Sequence, residues 1–156
     1  MRQVELLQDP GDKDRWVLPG VGSFLRTGRV SRAATAEAGE RRWSIKRFGL
    51  VRTGFNASDE AGTVVGEVRN PISGRSDRLR WAGCDLRLVR DGPRLWGYAL
   101  CDGDRRLAVM TPKRRGRRQL DVVLEDPSVD PGLLLFQAFI AQAYEDDASF
   151  PPAEIE

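Results

Sequence analysis

The densest run of chemically usable side chains is KRRGRR at residues 113–118, five cations in six residues. Lys113, Arg114, Arg115, Arg117 and Arg118 could together hold an anion. Such clusters attract anionic lipid head groups at about 1 kcal/mol per cation near a charged membrane, and bind nucleic-acid phosphates through counterion release. An acidic protein surface would suit them equally. Arg105 and Arg106 extend the patch if the neighbouring hairpin folds beside it. The competing reading is structural: a solvated hairpin tip tolerates any charge, and cations beside a strand discourage edge pairing. The flanking segments RRLAVMTP and RQLDVVLED alternate and leave the cations no inward position. This predicts that all five are exposed and replaceable without loss of fold.

Catalytic chemistry is sparse. The chain has no histidine, which removes the usual acid-base group near neutral pH, the common nucleophile pairs and the commonest transition-metal ligand. Carboxylates occur together as Asp59 with Glu60 and Asp102 with Asp104, and Asp91 stands near them in type. All sit in glycine-flanked turns, where Asp is favoured for its local backbone hydrogen bonds. No phosphate-cradling glycine motif occurs, and GVGSF at 20–24 is too short a match. Cys84 and Cys101 have no metal-ligand spacing, and no apolar leader precedes them. The expectation is a cytoplasmic chain with reduced thiols, no metal, no cofactor and no catalytic site.

The net charge of +2 hides an uneven distribution. Residues 1–40 carry six basic and six acidic side chains, residues 41–125 nineteen and ten, and residues 126–156 none and seven. The basic middle could meet an acidic or nucleic-acid partner, or the acidic end could fold against it and neutralise it internally.

The elements that must position these residues follow from the pattern. From Arg41 onward the chain breaks into RRWSIKR, LVRTGFNASD, GTVVGEVRN, DRLRWAG, CDLRLVR, RLWGYALCDGD, RRLAVMTP and RQLDVVLED. Between them lie FG, DEAG, NPISG, AG, DGP, DGD and KRRGRR. Alternation with period two, punctuated by Gly, Asp and Pro, predicts antiparallel strands joined by tight turns. The strand segments repeat. Shifted by 43 residues, WSIKRFGLVRTGFNASD from Trp43 falls on LRLVRDGPRLWGYALCD from Leu86, matching Arg47 with Arg90, Gly49 with Gly92, Gly54 with Gly97, Phe55 with Tyr98 and Asp59 with Asp102. After a one-residue gap VVGEV at 64–68 meets RLAVM at 106–110, and Leu79 and Trp81 meet Val122 and Leu124. Two related four-strand units are enough to curl a sheet into a closed or nearly closed barrel.

What fills that barrel is legible in DPGLLLFQAFIAQAYEDD at 130–147, where only Gln137 and Gln142 are polar between Leu133 and Tyr144. A helix apolar all round must be enclosed. Asp130 suits the N-cap and Pro131 the first helical position, so the helix is expected over 131 to about 144, with the acidic EDD at 145–147 beyond it. Twelve residues span about 18 Å against about 30 Å of bilayer hydrocarbon, too short to cross. Leu133, Leu134, Leu135, Phe136, Phe139, Ile140 and Tyr144 are the expected core of a helix running down the barrel.

FNASDEAGTVVGEV, YALCDGDRRLAVM and DPGLLLFQAFIAQAY, in this order and with the 43-residue repeat, resemble the tubby C-terminal-like fold. Within it the similarity is to proteins related to phospholipid scramblases and to the LURP-one family, particularly short actinobacterial members. It covers about residues 41–145. The resemblance implies a twelve-stranded barrel around a hydrophobic helix, with three or four strands drawn from residues 14–40. Tubby proteins bind phosphoinositide head groups through a basic pocket, but that lysine and arginine pattern falls on no stretch here. The acidic calcium loop, proline-rich segment and palmitoylated cysteines of scramblases are not visible either. Fold alone does not carry function.

The domain expectation is a flexible segment 1–13, one β-barrel domain over 14–147, and a flexible acidic tail 148–156. Arg15 to Leu18 and Phe24 to Val30 read as strands, and SRAATAEAGE at 31–40 as a helical turn or exposed loop. The favoured function is a non-catalytic binding or scaffold domain, cytoplasmic or peripheral at the membrane, contacting anionic lipid head groups or an acidic protein through basic loops. The alternative is nucleic-acid binding through the basic middle, and an enzyme with a site beside the helix ranks last.

Overall fold

A computed structural model describes residues 2–27, 33–48, 54–69, 76–91 and 96–148. They form twelve strands and a helix: β1 (Arg2–Asp9), β2 (Asp12–Leu18), β3 (Gly22–Thr27), β4 (Ala33–Ala38), β5 (Arg41–Phe48), β6 (Gly54–Ser58), β7 (Val64–Arg69), β8 (Ser76–Trp81), β9 (Cys84–Asp91), β10 (Gly97–Asp102), β11 (Arg105–Pro112), β12 (Leu120–Leu124) and α1 (Pro131–Ala148). Every strand pairs antiparallel with its neighbours in sequence, and β1 pairs with β12 from Arg2↔Leu124 to Leu6↔Leu120. The sheet is therefore a closed barrel without edges.

The strands form where the alternation places apolar residues inward. On β12 Leu120, Val122 and Leu124 are buried while Asp121 is exposed, and on β5 Trp43 and Ile45 are buried between polar neighbours. The repeat survives as structure. At an offset of 43, β5 begins at Arg41 and β9 at Cys84, while β6 begins at Gly54 and β10 at Gly97. Each unit carries a register shift at the corresponding place, Ala57/Ser58 in one and Leu100/Cys101 in the other. A bulge bends its strand and increases the local twist, so both units turn the sheet at the same point. The AG turn at 82–83 closes β8 to β9 in two residues, both at positive φ (50° and 83°), the twist that matches a hairpin.

The helix lies inside. Phe139 meets Phe24 of β3 and Phe55 of β6 edge-on at 6.0 and 5.3 Å, Phe136 meets Trp81 of β8 at 5.7 Å, and Tyr144 meets Tyr98 of β10 at 5.6 Å. Strands on different sides of the barrel thus all reach the same helix. Leu133, Leu134, Leu135, Phe136, Phe139 and Ile140 are buried and Tyr144 partly so, each large apolar side chain contributing about 1.5–3 kcal/mol. The two polar residues turn their amide nitrogens to the wall, while Gln137 Oε1 has no hydrogen-bond partner among the described residues. Gln137 Nε2 donates to the carbonyls of Tyr98 and Ala108, and Gln142 Nε2 to that of Arg118.

Asp130 starts the helix. Its carboxylate accepts from the Gly132 amide at 3.0 Å, the Trp81 indole at 3.1 Å and both terminal nitrogens of Arg41. Gly132 must be glycine, because a Cβ there would overlap the Trp43 ring.

Three expectations change. Residues 2–13 are not a flexible lead-in, because they hold β1 and the start of β2 and close the barrel; the barrel unit thus begins before residue 14. Residues 33–38 of SRAATAEAGE form β4 rather than a helical turn or loop, with Ala34, Ala36 and Ala38 inward. Ala and Glu favour helix intrinsically, but the small side chains let α1 pack more closely on β4 than on any other strand, and packing overrides propensity. The helix does not stop at 144 but continues to Ala148, so EDD lies within it. Of the strand expected over Phe24 to Val30, β3 covers Phe24 to Thr27, and residues 28–30 lie outside the described residues. Residues 28–32, the turn residues Gly49, 70–74 and 92–93, the Gly49/Gly92 match and the tail 149–156 lie outside those described. Among the described residues no helix is long and apolar enough to cross a membrane.

Candidate functional site

KRRGRR joins β11 to β12 over the barrel end from which the helix C-terminus faces out. The loop closes on itself through the Lys113 amide donating to the Gln119 carbonyl at 3.0 Å and the Arg117 amide to the Arg114 carbonyl at 3.1 Å. Gly116 takes φ 79° at its bend, a left-handed conformation that costs a side-chain-bearing residue free energy. The loop therefore lies across the barrel mouth.

Two acidic residues of the last helical turns hold it there. Glu145 is fully buried and accepts from the Tyr98 hydroxyl at 2.6 Å and the Gly116 amide at 2.8 Å, with Arg115 Nε at 3.4 Å. Asp146 takes a two-pronged contact from Arg118, Nε at 2.9 Å and Nη2 at 3.1 Å, while Arg26 of β3 reaches the same carboxylate at 3.0 Å. Carboxylates at a helix C-terminus run against the macrodipole, and the last turn contains no basic residue. Arg26, Arg115 and Arg118 supply from outside the positive charge that the helix lacks.

Beside this seal lies a cleft of about 640 Å³ lined by Lys113, Arg114, Gly116, Arg117, Arg118, Gln119, Gln8, Trp16 and Asp146. Trp16 is buried, and its indole Nε1 has no hydrogen-bond partner among the described residues. A buried donor without a partner is costly and uncommon, and this one lies beneath the cleft surface. Arg114 and Arg117 are exposed and make no side-chain ion pair among the described residues. Lys113 bridges Glu5 of β1 and Asp121 of β12, each at 3.1 Å, and fastens the seam where the barrel closes.

The candidate residues thus separate into groups. Lys113, Arg114, Arg117 and Arg118 line one cleft, and Arg115 sits beside it with its guanidinium 5.7 Å from the Trp96 ring. Arg105 and Arg106 do not join them, since they begin the strand that ends at Pro112, about 23 Å away along an extended chain. They pair with Asp126, and with Asp91 and Glu125. Arg115 is exposed as expected and Arg118 only half so, and both meet helix carboxylates that the sequence pattern placed outside the barrel. Of the two readings of the charge distribution, internal neutralisation holds for many groups: Asp126, Asp130, Glu145 and Asp146 of the acidic end all meet arginines of the preceding chain.

A second polar pair sits at the same end. The Tyr144 hydroxyl donates to Asp77, whose carboxyl burial pushes above its ordinary range, against the lowering effect of that hydrogen bond and of Arg90. Burial and the Glu145 charge likewise push the Tyr98 hydroxyl far up, so it stays a donor at ordinary pH. Asp59 serves its turn, accepting from the Ala61 and Thr63 amides at 2.9 and 3.0 Å. Both cysteines are free thiols.

The sequence pattern missed Trp16, Gln8, Gln119, Glu145 and Asp146. Only the acidic run carried a signal, because extending the helical register by one turn past Ala141 places Glu145 on the inward face. No family model, no curated protein and no solved structure matches this chain.

Proposed function

We propose that the protein is a non-catalytic binding domain that uses the cleft formed by its β11–β12 loop to contact anionic lipid head groups at a membrane surface. The observation that carries this reading is the cleft itself, where Arg114 and Arg117 stand exposed beside Lys113 and Arg118. Exposed guanidinium groups match phosphate geometry with paired donors, and their distance from internal carboxylates leaves that capacity unspent. The buried carboxylates, in contrast, are engaged by Tyr98, Tyr144, Gly116 and arginines, an arrangement suited to holding a loop rather than to proton transfer.

Membership of the tubby C-terminal-like group belongs to the same proposal. It is supported by the twelve-stranded barrel, the enclosed helix and the structural persistence of the 43-residue repeat.

One observation favours nucleic acid as a second reading. Arg78 and Arg87 are direct cross-strand partners, with Arg69 and Arg80 also exposed on the outer face. Like charges placed opposite each other oppose sheet formation; Asp85 at 3.9 and 3.4 Å from Arg78 and Arg80, and Glu67 at 3.7 Å from Arg69, offset part of this charge, and a polyanion would add to that. Against it, Trp43, Trp81 and Tyr98 are buried and offer no platform for stacking bases.

Co-sedimentation with zwitterionic vesicles, with vesicles containing anionic lipid, and with duplex and single-stranded oligonucleotides separates the readings. Binding to anionic vesicles alone, weakening as salt rises, is the expected result. Binding to oligonucleotides in preference to vesicles would replace the lipid reading with the nucleic-acid one.

A further inference from the structure

The cleft contains a carboxylate of its own. Asp146 lines it together with four cations and presents both oxygens to Arg118 at 2.9 and 3.1 Å, the two-pronged contact that a phosphate or carboxylate ligand would make. Its neighbour Glu145 cannot leave: it is fully enclosed and receives two further hydrogen bonds, from Tyr98 and Gly116. Asp146 differs. Its side chain keeps 20% exposure, and it is shared between Arg118, 40% exposed at the cleft, and Arg26, 10% exposed within the barrel mouth. If Arg118 turned to a ligand, Asp146 would retain the Arg26 contact at 3.0 Å, and no buried charge would be stranded. Arg26 is itself held by Gln142 Oε1 at 2.9 Å.

From this geometry we propose that Asp146 is an autoinhibitory group: it occupies Arg118 in the free protein, and an anionic ligand binds by displacing it while Arg26 retains the released carboxylate. Glu145, Arg115 and Gly116 keep the loop in place during the exchange, so the change is confined to one side chain and the last helical turn. The inference rests on the anion-binding reading of the same cleft. It adds that the free protein is held below its attainable affinity, and that the acidic end of the helix sets the threshold.

The test measures binding of the full chain to vesicles of zwitterionic lipid with and without anionic lipid, at a series of salt concentrations. Asp146→Asn removes the competing charge and nearly keeps the shape. Charge-assisted hydrogen bonds are strong enough that their loss as a competitor should tighten binding to anionic vesicles about tenfold. Asp126→Asn changes the net charge equally but acts on Arg105 at the other end of the barrel, and should leave binding near the parent's. Equal affinity of the parent and Asp146→Asn would overturn autoinhibition and leave the anion reading standing. A similar gain from both variants would also overturn it, by assigning the effect to net charge. No binding by either protein at low salt would remove the anion reading and the inference together. A measurement on the unaltered chain covers the case in which Asp146→Asn fails to fold. Amide hydrogen exchange in residues 143–148 should rise when anionic vesicles are added, and exchange left unchanged by vesicles that do bind would contradict displacement.

Discussion

Asp130 shows how much of the fold one side chain can hold. Four donors from three places converge on it: Gly132 of the helix, Trp81 of β8 and the two prongs of Arg41 from β5. Burial alone would raise its carboxyl, but the bonds from Arg41, Trp81 and Gly132 outweigh it and hold the group below its ordinary 3.8. A depressed carboxyl contributes stability that is present above the unfolded value and lost as pH falls through the folded one. Asp130→Ala should therefore lower stability at neutral pH by about 1–3 kcal/mol. In melts taken below pH 4, the gap between variant and parent should narrow. The loop arginines divide by the same reasoning. Arg115→Glu would set a second carboxylate against the enclosed Glu145, at a cost of about 2–4 kcal/mol, and Arg118→Glu would repel Asp146, which keeps its Arg26 contact, at a smaller cost. Chemical denaturation of the two single variants checks this, and a midpoint equal to the parent's in both would show that the seal contributes nothing.

Among the elements, the helix was the most legible and the first strands the least. The run from Leu133 to Tyr144 has no wet side, so its enclosure followed from composition. The end of the helix did not follow, because a buried Glu145 depends on Tyr98 and Gly116, partners that lie 47 and 29 residues away in sequence. β4 was hidden by helix-favouring alanines. β1 was hidden because Leu6 is its only fully buried residue, too little alternation to register. Phe136→Asp should abolish the cooperative melt, since it puts an unpaired charge among aromatic rings with no route to water. Gly132→Ala tests the fit more finely. Alanine favours a helix by about 1 kcal/mol over glycine, yet its Cβ would overlap the Trp43 ring, which is buried and covered by the Arg41 guanidinium at 4.6 Å. The overlap should win, and a raised melting temperature would show that the ring yields.

At the scale of the whole molecule, closure decides stability. The twelve-strand ring has one joint between sequence-distant strands, β1 with β12, and the rest of the barrel is a succession of neighbours. Deleting residues 1–9 would expose two sheet edges and open one side of the wall around the helix. Near-ultraviolet circular dichroism should show the loss of fixed aromatic packing, and a truncated chain with the parent's spectrum and melt would contradict closure as the source of stability. The candidate site is a product of that closure, because Gln8 and Trp16 reach the basic loop only once β1 lies beside β12. This is why the loop was legible as a charge cluster and the cleft was not. The most direct test of the cleft as an anion-binding site is the double variant Arg114→Glu, Arg117→Glu, which reverses the two exposed cations lacking ion pairs among the described residues. Surface changes of this kind are usually worth less than about 0.5 kcal/mol each, so its melting temperature should stay within a few degrees of the parent's. Its co-sedimentation with anionic vesicles at low salt should be lost. Intact folding with undiminished vesicle binding, or no binding by the parent protein at low salt, would contradict the account.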